Sequence, residues 1–322
     1  MITRLDYISK QVLIIESGDI KNIRIQNSNI VVKDKDGKII LQHSLYKILL
    51  IFIIGDFSLS SIVIKKAQSF SFPIICLNFN LKPYFIFGST NKGNFLLRRK
   101  QYTNKSNIEL AKFIISNKVL NQILLTKSLR YKTENEKQGI ATLEEYQNKI
   151  DKCVDEQQLL GIEGNASKIF FKIYFKNLDF QKRLPRTKVD IFNLLFDIGY
   201  SYLFNFIKAN LEYYGFDLFY GFYHKLFYQR ESLVCDLIEP FRCIVDRAIK
   251  KGFNLKQIDK NDFYVKNGQY YIKSEFNKKY SSFFIKEILS YKNEIFLYVQ
   301  GFYRCFIKSS ELSKYPKFFI VE

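Results

Sequence analysis

The sequence predicts an α+β fold, with a small N-terminal mainly β domain over residues 1–90 and a larger all-helical domain over residues 91–322. Three observations carry this division. Up to residue 90 the apolar residues come in short β-branched runs broken by turn residues. From Leu96 onward they recur at spacings of three and four, the helical period. No Gly-rich phosphate loop follows any of the strands, which disfavours a P-loop or dinucleotide-binding sheet.

Taken in order, Gln11 to Ile15, Asn22 to Gln26, Asn29 to Lys33 and Lys38 to Leu41 read as strands. They are separated by Ser17-Gly18-Asp19, Asn27-Ser28 and Asp34-Lys35-Asp36-Gly37, and Asp-Gly is a strong hairpin signal. Leu49 to Ile54 reads as a buried strand, Ser60 to Ser69 as a short helix, and Ile74 to Asn78 and Tyr84 to Phe87 as the last strands. The texture changes near Gly88-Ser89-Thr90-Asn91. The spacing then predicts helices over about 105–130, 141–158, 162–176, 188–210, 216–226, 232–250 and 275–292. Pro240 should kink or restart the sixth of these. Little strand content is expected beyond residue 100 or so.

Hydrophobic residues make up 47% of the 322, so sizeable cores are expected and disorder is not. The formal charge of +19, from 50 Lys and Arg against 31 Asp and Glu, favours a polyanionic partner, nucleic acid before anionic membrane. Most of that excess, 39 basic against 25 acidic residues, falls on residues 91–322. The five cysteines form no C-x-x-C pair or zinc spacing, and their odd number fits a reducing compartment. The most apolar run, Ile48 to Ile54, is far short of the ~20 residues that span a bilayer. A soluble cytoplasmic protein is expected, with no membrane partner.

Few residues carry metal or acid–base chemistry. His43 follows a strand without an acidic neighbour at ligand spacing and reads as a surface or boundary histidine. His224 ends Tyr220-Gly221-Phe222-Tyr223-His224, shortly before Asp236 and Glu239, which are three apart on one helical face. Carboxylates with one imidazole suit Mg²⁺ or Mn²⁺. The same spacing also fits a polar helix face with Asp236 or Glu239 paired to Arg242. Glu163, in Gly161-Ile162-Glu163-Gly164-Asn165-Ala166, is either an approachable carboxylate among small neighbours or a first-turn glutamate favoured by the helix dipole.

Four segments resemble, in order and spacing, those of the CRISPR-associated integrase-endonuclease, the larger of the two universal spacer-adaptation proteins. They are Leu97-Arg98-Arg99-Lys100-Gln101-Tyr102; Gly161 to Ala166 with Phe170 and Tyr174-Phe175; Asp190 to Tyr200; and Asp217 to His224 followed by Ser232 to Arg242 and Val245-Asp246. The resemblance spans roughly residues 5–305. It departs from the family at Gln229-Arg230-Glu231, where a glycine followed by a basic residue is common.

The resemblance implies Glu163, His224 and Glu239 as catalytic residues and ligands of Mg²⁺ or Mn²⁺, with Asp236 as a fourth member that joins or positions the site. It implies insertion of short duplex DNA into CRISPR repeat DNA by 3′-hydroxyl transesterification, and cutting of branched DNA with water as nucleophile. It further implies a homodimer made by the β domain, and a small ferredoxin-like adaptation protein as partner. A diverged, catalytically inactive DNA-binding scaffold is the alternative. An RNA-binding or structural module is a weaker one, since no single-strand recognition motif is present.

Overall fold

In the computed structural model, the described residues are all but Met1, Ile2, Ser17, Asp19, 88–92, 105–106, 225–226 and 321–322, and the side chains of Ile20 and Lys21 are also outside them. The chain opens with helix α1 (Arg4–Ser9), started by a capping box between Thr3 and Asp6. Strands β1 (Gln11–Glu16), β2 (Ile20–Gln26), β3 (Asn29–Asp34), β4 (Ile39–Ser44) and β5 (Ile48–Ile54) follow, then α2 (Ser61–Ser69), β6 (Ile74–Leu77) and β7 (Pro83–Phe87). Each expected strand forms, to within a few residues at its ends.

The continuous apolar run of β5 has a physical consequence. All seven of its residues are buried, because it is an inner strand. It pairs in parallel with β1 on one side and β6 on the other, and β7 closes the sheet antiparallel to β6. β2, β3 and β4 make a separate antiparallel sheet. Ile23, Ile30 and Val32 from that sheet join Leu13, Ile15, Ile51, Ile53 and Ile74 from the first in one apolar cluster. His43 bridges β4 to β1 through Gln11 Oε1, 3.0 Å from Nε2.

The helical part comprises α3 (Phe95–Thr103), α4 (Asn107–Lys127), α5 (Glu134–Ile150), α6 (Glu156–Tyr174), α7 (Ile191–Tyr214), α8 (Ser232–Leu237), α9 (Arg242–Asn254), α10 (Asn277–Ser290) and α11 (Lys292–Lys308). Asp190 caps α7 by accepting the Asn193 N–H at 2.6 Å, and Gly215 (φ +80°) ends it.

Two compact units emerge. One contains residues 1–98 together with 205–216, and the other 99–204 with 217–322. The sequence placed the division at residue 90; the structure instead assigns the start of α3 and the last part of α7 to the β-rich unit. Residues 88–91, where the texture changes, lie outside the described residues.

Three expectations need correction. Residues 216–224 are not helical but form turns, and the Asp236 carboxylate collects the backbone N–H groups of Phe222, Tyr223 and His224; residues 225–226 lie outside the described residues. The second and third long helices begin earlier than expected, α6 being capped by Asp155, which accepts the Gln158 N–H at 2.8 Å. Glu163 therefore lies in the middle of α6 and not in its first turn, so no dipole argument applies to it. The C-terminal part is also not all helical: β8 (Phe263–Lys266) and β9 (Gln269–Ile272) make a hairpin around Asn267-Gly268, both with positive φ. That Asn-Gly pair was the overlooked signal. Among the described residues no helix is long and apolar enough to cross a membrane.

Candidate metal centre

Helix α4 is apolar on most sides, with Ala111, Ile114, Ile115, Val119 and Ile123 buried. Four of its buried polar residues, Asn117, Lys118, Asn121 and Gln122, fall at positions i, i+1, i+4 and i+5, which is one face. Asn117 and Asn121 bind the chain near the C-terminus: Asn117 Nδ2 donates to Phe318 C=O at 2.7 Å, and Asn121 Oδ1 accepts the Ile320 N–H at 2.7 Å. Asn121 Nδ2 also donates to Pro240 C=O at 3.3 Å, which ties α4 to the turn that carries Glu239.

That turn results from Pro240. The proline cannot donate a helical hydrogen bond, so the expected single helix divides into α8, a 3₁₀ turn over Glu239–Phe241, and α9. Glu239 leaves the face it would share with Asp236 and points at two cations. Arg242 Nε donates to Glu239 Oε1 at 2.9 Å, and Lys118 Nζ lies 2.7 Å from Oε2. Lys118 also pairs with Glu163 Oε1, and the Tyr223 hydroxyl donates to Glu163 Oε2 at 3.0 Å. One ammonium thus bridges both glutamates.

The electrostatics follow from burial. Glu239 is only 4% exposed. Desolvation would raise its pKa, but Arg242, Lys118 and His224 together hold it down to about 2. Burial would lower the pKa of Lys118, and Glu163 and Glu239 more than offset it. The Arg242 guanidinium also stacks 4.6 Å above the Tyr200 ring. Tyr200 donates its hydroxyl to Asp246, and of the two carboxylates that the spacing offered to Arg242 it is Glu239 that pairs with it.

Asp246 itself is buried, and desolvation lifts its carboxyl to about 7 despite the Tyr200 hydrogen bond. A folded-state pKa above the unfolded one means that this group's contribution to stability is complete below about pH 4 and is lost as pH rises through about 7. Urea unfolding should therefore show stability falling over that range in the wild type and falling less in Asp246→Asn. Parallel pH profiles would refute this assignment.

Asp236 is fully buried and faces the other way. Its Oδ1 accepts the His224 backbone N–H at 2.9 Å and stands 2.6 Å from His224 Nδ1; its Oδ2 accepts from the N–H groups of Phe222 and Tyr223 at 2.5 and 3.0 Å. With Nδ1–H directed at the carboxylate, His224 Nε2 is left to act as a metal donor, the usual carboxylate–histidine arrangement. Gly221 is required here, because a Cβ would stand 2.6 Å from Asp236 Oδ2 and 2.9 Å from the Ser232 backbone. Asp236→Asn should lower any metal-dependent activity by ~10–100-fold through His224, with a weakened metal affinity. Unchanged Mn²⁺ affinity in that variant would remove this role.

The structure therefore brings Glu163 and Glu239 together through Lys118, and places Asp236 behind His224. Among the described residues no group of three or more His, Cys, Asp or Glu side chains is close enough to hold a metal ion. The donor chemistry nevertheless fits one. Glu239 Oε2 is buried and accepts no well-aligned hydrogen bond, although Lys118 is near it. Two carboxylates and an imidazole are a donor set for Mg²⁺ or Mn²⁺. Sequence reasoning missed Lys118 and the role of Tyr223, while the pairing of Arg242 with Glu239, one of those its spacing left open, forms. The polar stripe on apolar α4 was the signal that could have found Lys118.

Residues 14–286 match the model of the family described as CRISPR associated protein Cas1. A CRISPR-associated endonuclease Cas1 of Thermodesulfovibrio yellowstonii is 29% identical over 274 residues, covering 81% of this chain and 86% of that protein. Among solved structures, a casposase bound to integration product aligns with TM-score 0.77 at 20% identity, covering 96% of this chain and 94% of that one. A Cas6-RT-Cas1–Cas2 complex aligns with TM-score 0.81 at 20% identity, covering 98% of this chain and 36% of the longer one.

Proposed function

The chain belongs to the CRISPR-associated Cas1 family, and from that premise we propose that it is a metal-dependent DNA integrase and endonuclease that inserts short duplex DNA into a CRISPR array. The observation that carries the reading is the meeting of Glu163, from α6, and Glu239, from the turn before α9, at one cation position. Glu163, Glu239 and His224 would hold Mg²⁺ or Mn²⁺. When bound, such an ion stabilises charge on the reacting phosphate and lowers the pKa of the attacking hydroxyl.

The remaining roles belong to the chain's own groups. Asp236 orients His224, Tyr223 orients Glu163, and Arg242 keeps Glu239 ionised. The attacking group is a 3′-hydroxyl of the incoming fragment, displacing a 3′-oxygen of the repeat. With water in its place the same residues cut branched or single-stranded DNA.

Not every basic side chain is available to DNA. Arg98 Nε donates to Gly215 C=O at 3.2 Å, Lys100 Nζ to Ile307 C=O at 2.8 Å, and Arg183 pairs with Asp197 at 2.5 Å. Arg99, Lys168, Lys172, Lys182, Arg186 and Lys188 are the stronger candidates for backbone contacts, which confer affinity and salt dependence. A homodimer is proposed through the β-rich unit, whose edge strand β7 exposes Tyr84 and Phe85. The small ferredoxin-like adaptation protein is the proposed second partner, in keeping with the Cas1–Cas2 assembly named above.

One observation favours the alternative of a non-catalytic DNA-binding scaffold: the Lys118 ammonium and the Arg242 guanidinium together already neutralise the glutamate pair. Joining of a 3′-hydroxyl fragment to a repeat-containing duplex separates the two. Activity that disappears with chelator and returns with Mg²⁺ or Mn²⁺ supports the enzyme; DNA binding with no joining under any metal supports the scaffold.

A further inference from the structure

Lys118 is an unusual residue to find on α4. Its side chain is 9% exposed, and its ammonium meets Glu163, at 17% side-chain exposure, and Glu239, at 4%. Arg242 already compensates Glu239 from the other side. Two carboxylates and two cations leave this cluster neutral, so a divalent ion placed beside them adds uncompensated positive charge where water screens little. Burying that charge is unfavourable unless one resident cation gives up its partner. Arg242 is held by stacking on Tyr200 as well as by Glu239, whereas among the described residues the Lys118 ammonium pairs with the two carboxylates alone. A flexible four-carbon stem also lets a lysine withdraw more easily than an arginine.

We infer that Lys118 is an internal counter-cation that keeps the Glu163–Glu239 pair together before metal arrives, competes with the divalent ion for that pair, and is displaced from at least one carboxylate when the ion binds. This rests on the proposal that the pair holds metal. A purely structural lysine would behave differently: its removal would loosen the pair and weaken metal binding.

The test is direct Mn²⁺ binding to the DNA-free full chain, read as loss of the free-ion electron paramagnetic resonance signal. Lys118→Met should bind Mn²⁺ at least about tenfold tighter than the wild type, because the pair then lacks its competitor. Lys118→Arg, which keeps the charge, should show no gain, and Glu163→Gln should lose the binding. Equal or weaker binding by Lys118→Met, with Glu163→Gln still abolishing it, would overturn the inference while leaving the metal site intact. Mn²⁺ binding that Glu163→Gln does not affect would overturn both. Should Lys118→Met fold poorly, wild-type crystals soaked in Mn²⁺ provide a second measurement. The anomalous peak should lie between the carboxylates with Lys118 withdrawn from one of them; an ion bound with both lysine contacts intact would overturn the inference.

Discussion

Replacing Glu163 by glutamine is expected to reduce fragment joining by about 10³-fold or more, while the dissociation constant for duplex DNA changes by less than about threefold. Glutamine keeps the volume and the capacity to accept the Tyr223 hydroxyl, so the packing of α6 should survive. It removes one of the two negative charges that meet at Lys118, and with it the attraction for a divalent ion. Loss of a metal's contribution to phosphoryl transfer is worth several kcal/mol, and each ~1.4 kcal/mol is tenfold in rate. Affinity for DNA should persist because it comes from phosphate contacts spread over the basic surface. His224→Ala should behave similarly, whereas Glu239→Ala should also lose stability through its buried ion pairs. Joining by Glu163→Gln at the wild-type rate would refute the metal centre.

Arg242→Met is expected to destabilise the protein by about 3 kcal/mol, the scale for removing one partner of a buried pair. Glu239 would remain buried with Lys118 alone, and Tyr200 would lose the guanidinium above its ring. The comparison that isolates the cause is the double variant Arg242→Met with Glu239→Gln, which no longer leaves an uncompensated carboxylate and should recover part of the loss. Urea unfolding measures both. A single-variant loss under about 1 kcal/mol would mean that solvent compensates Glu239 and that its ion pair with Arg242 contributes little.

The two variants separate features that the sequence presents alike. Glu163, Glu239 and Arg242 are all charged residues on helical segments, and no spacing distinguishes a reacting group from a supporting one. Resemblance to the family supplied Glu163, His224, Glu239 and Asp236 together. The geometry then divided Asp236 from the rest, because its four contacts on His224 and the preceding turn use both of its oxygens.

The sequence by itself determined the α+β class, the strands through Phe87, most of the long helices though not Lys292–Lys308, and the break at Pro240. These follow from local physics: period-two or period-three-to-four burial, β-branched runs, turn residues and a missing proline donor. It did not determine the turns over 216–224, where an apolar pattern suggests a helix but a carboxylate 12 to 14 residues away claims the backbone donors. Nor did it determine the partners of the charges. Lys118 and Glu163 are 45 residues apart in the chain, and Lys118 and Glu239 further still. Their meeting depends on how α4, α6 and the Glu239 turn pack, and burial makes an ion pair strong only after that packing excludes water.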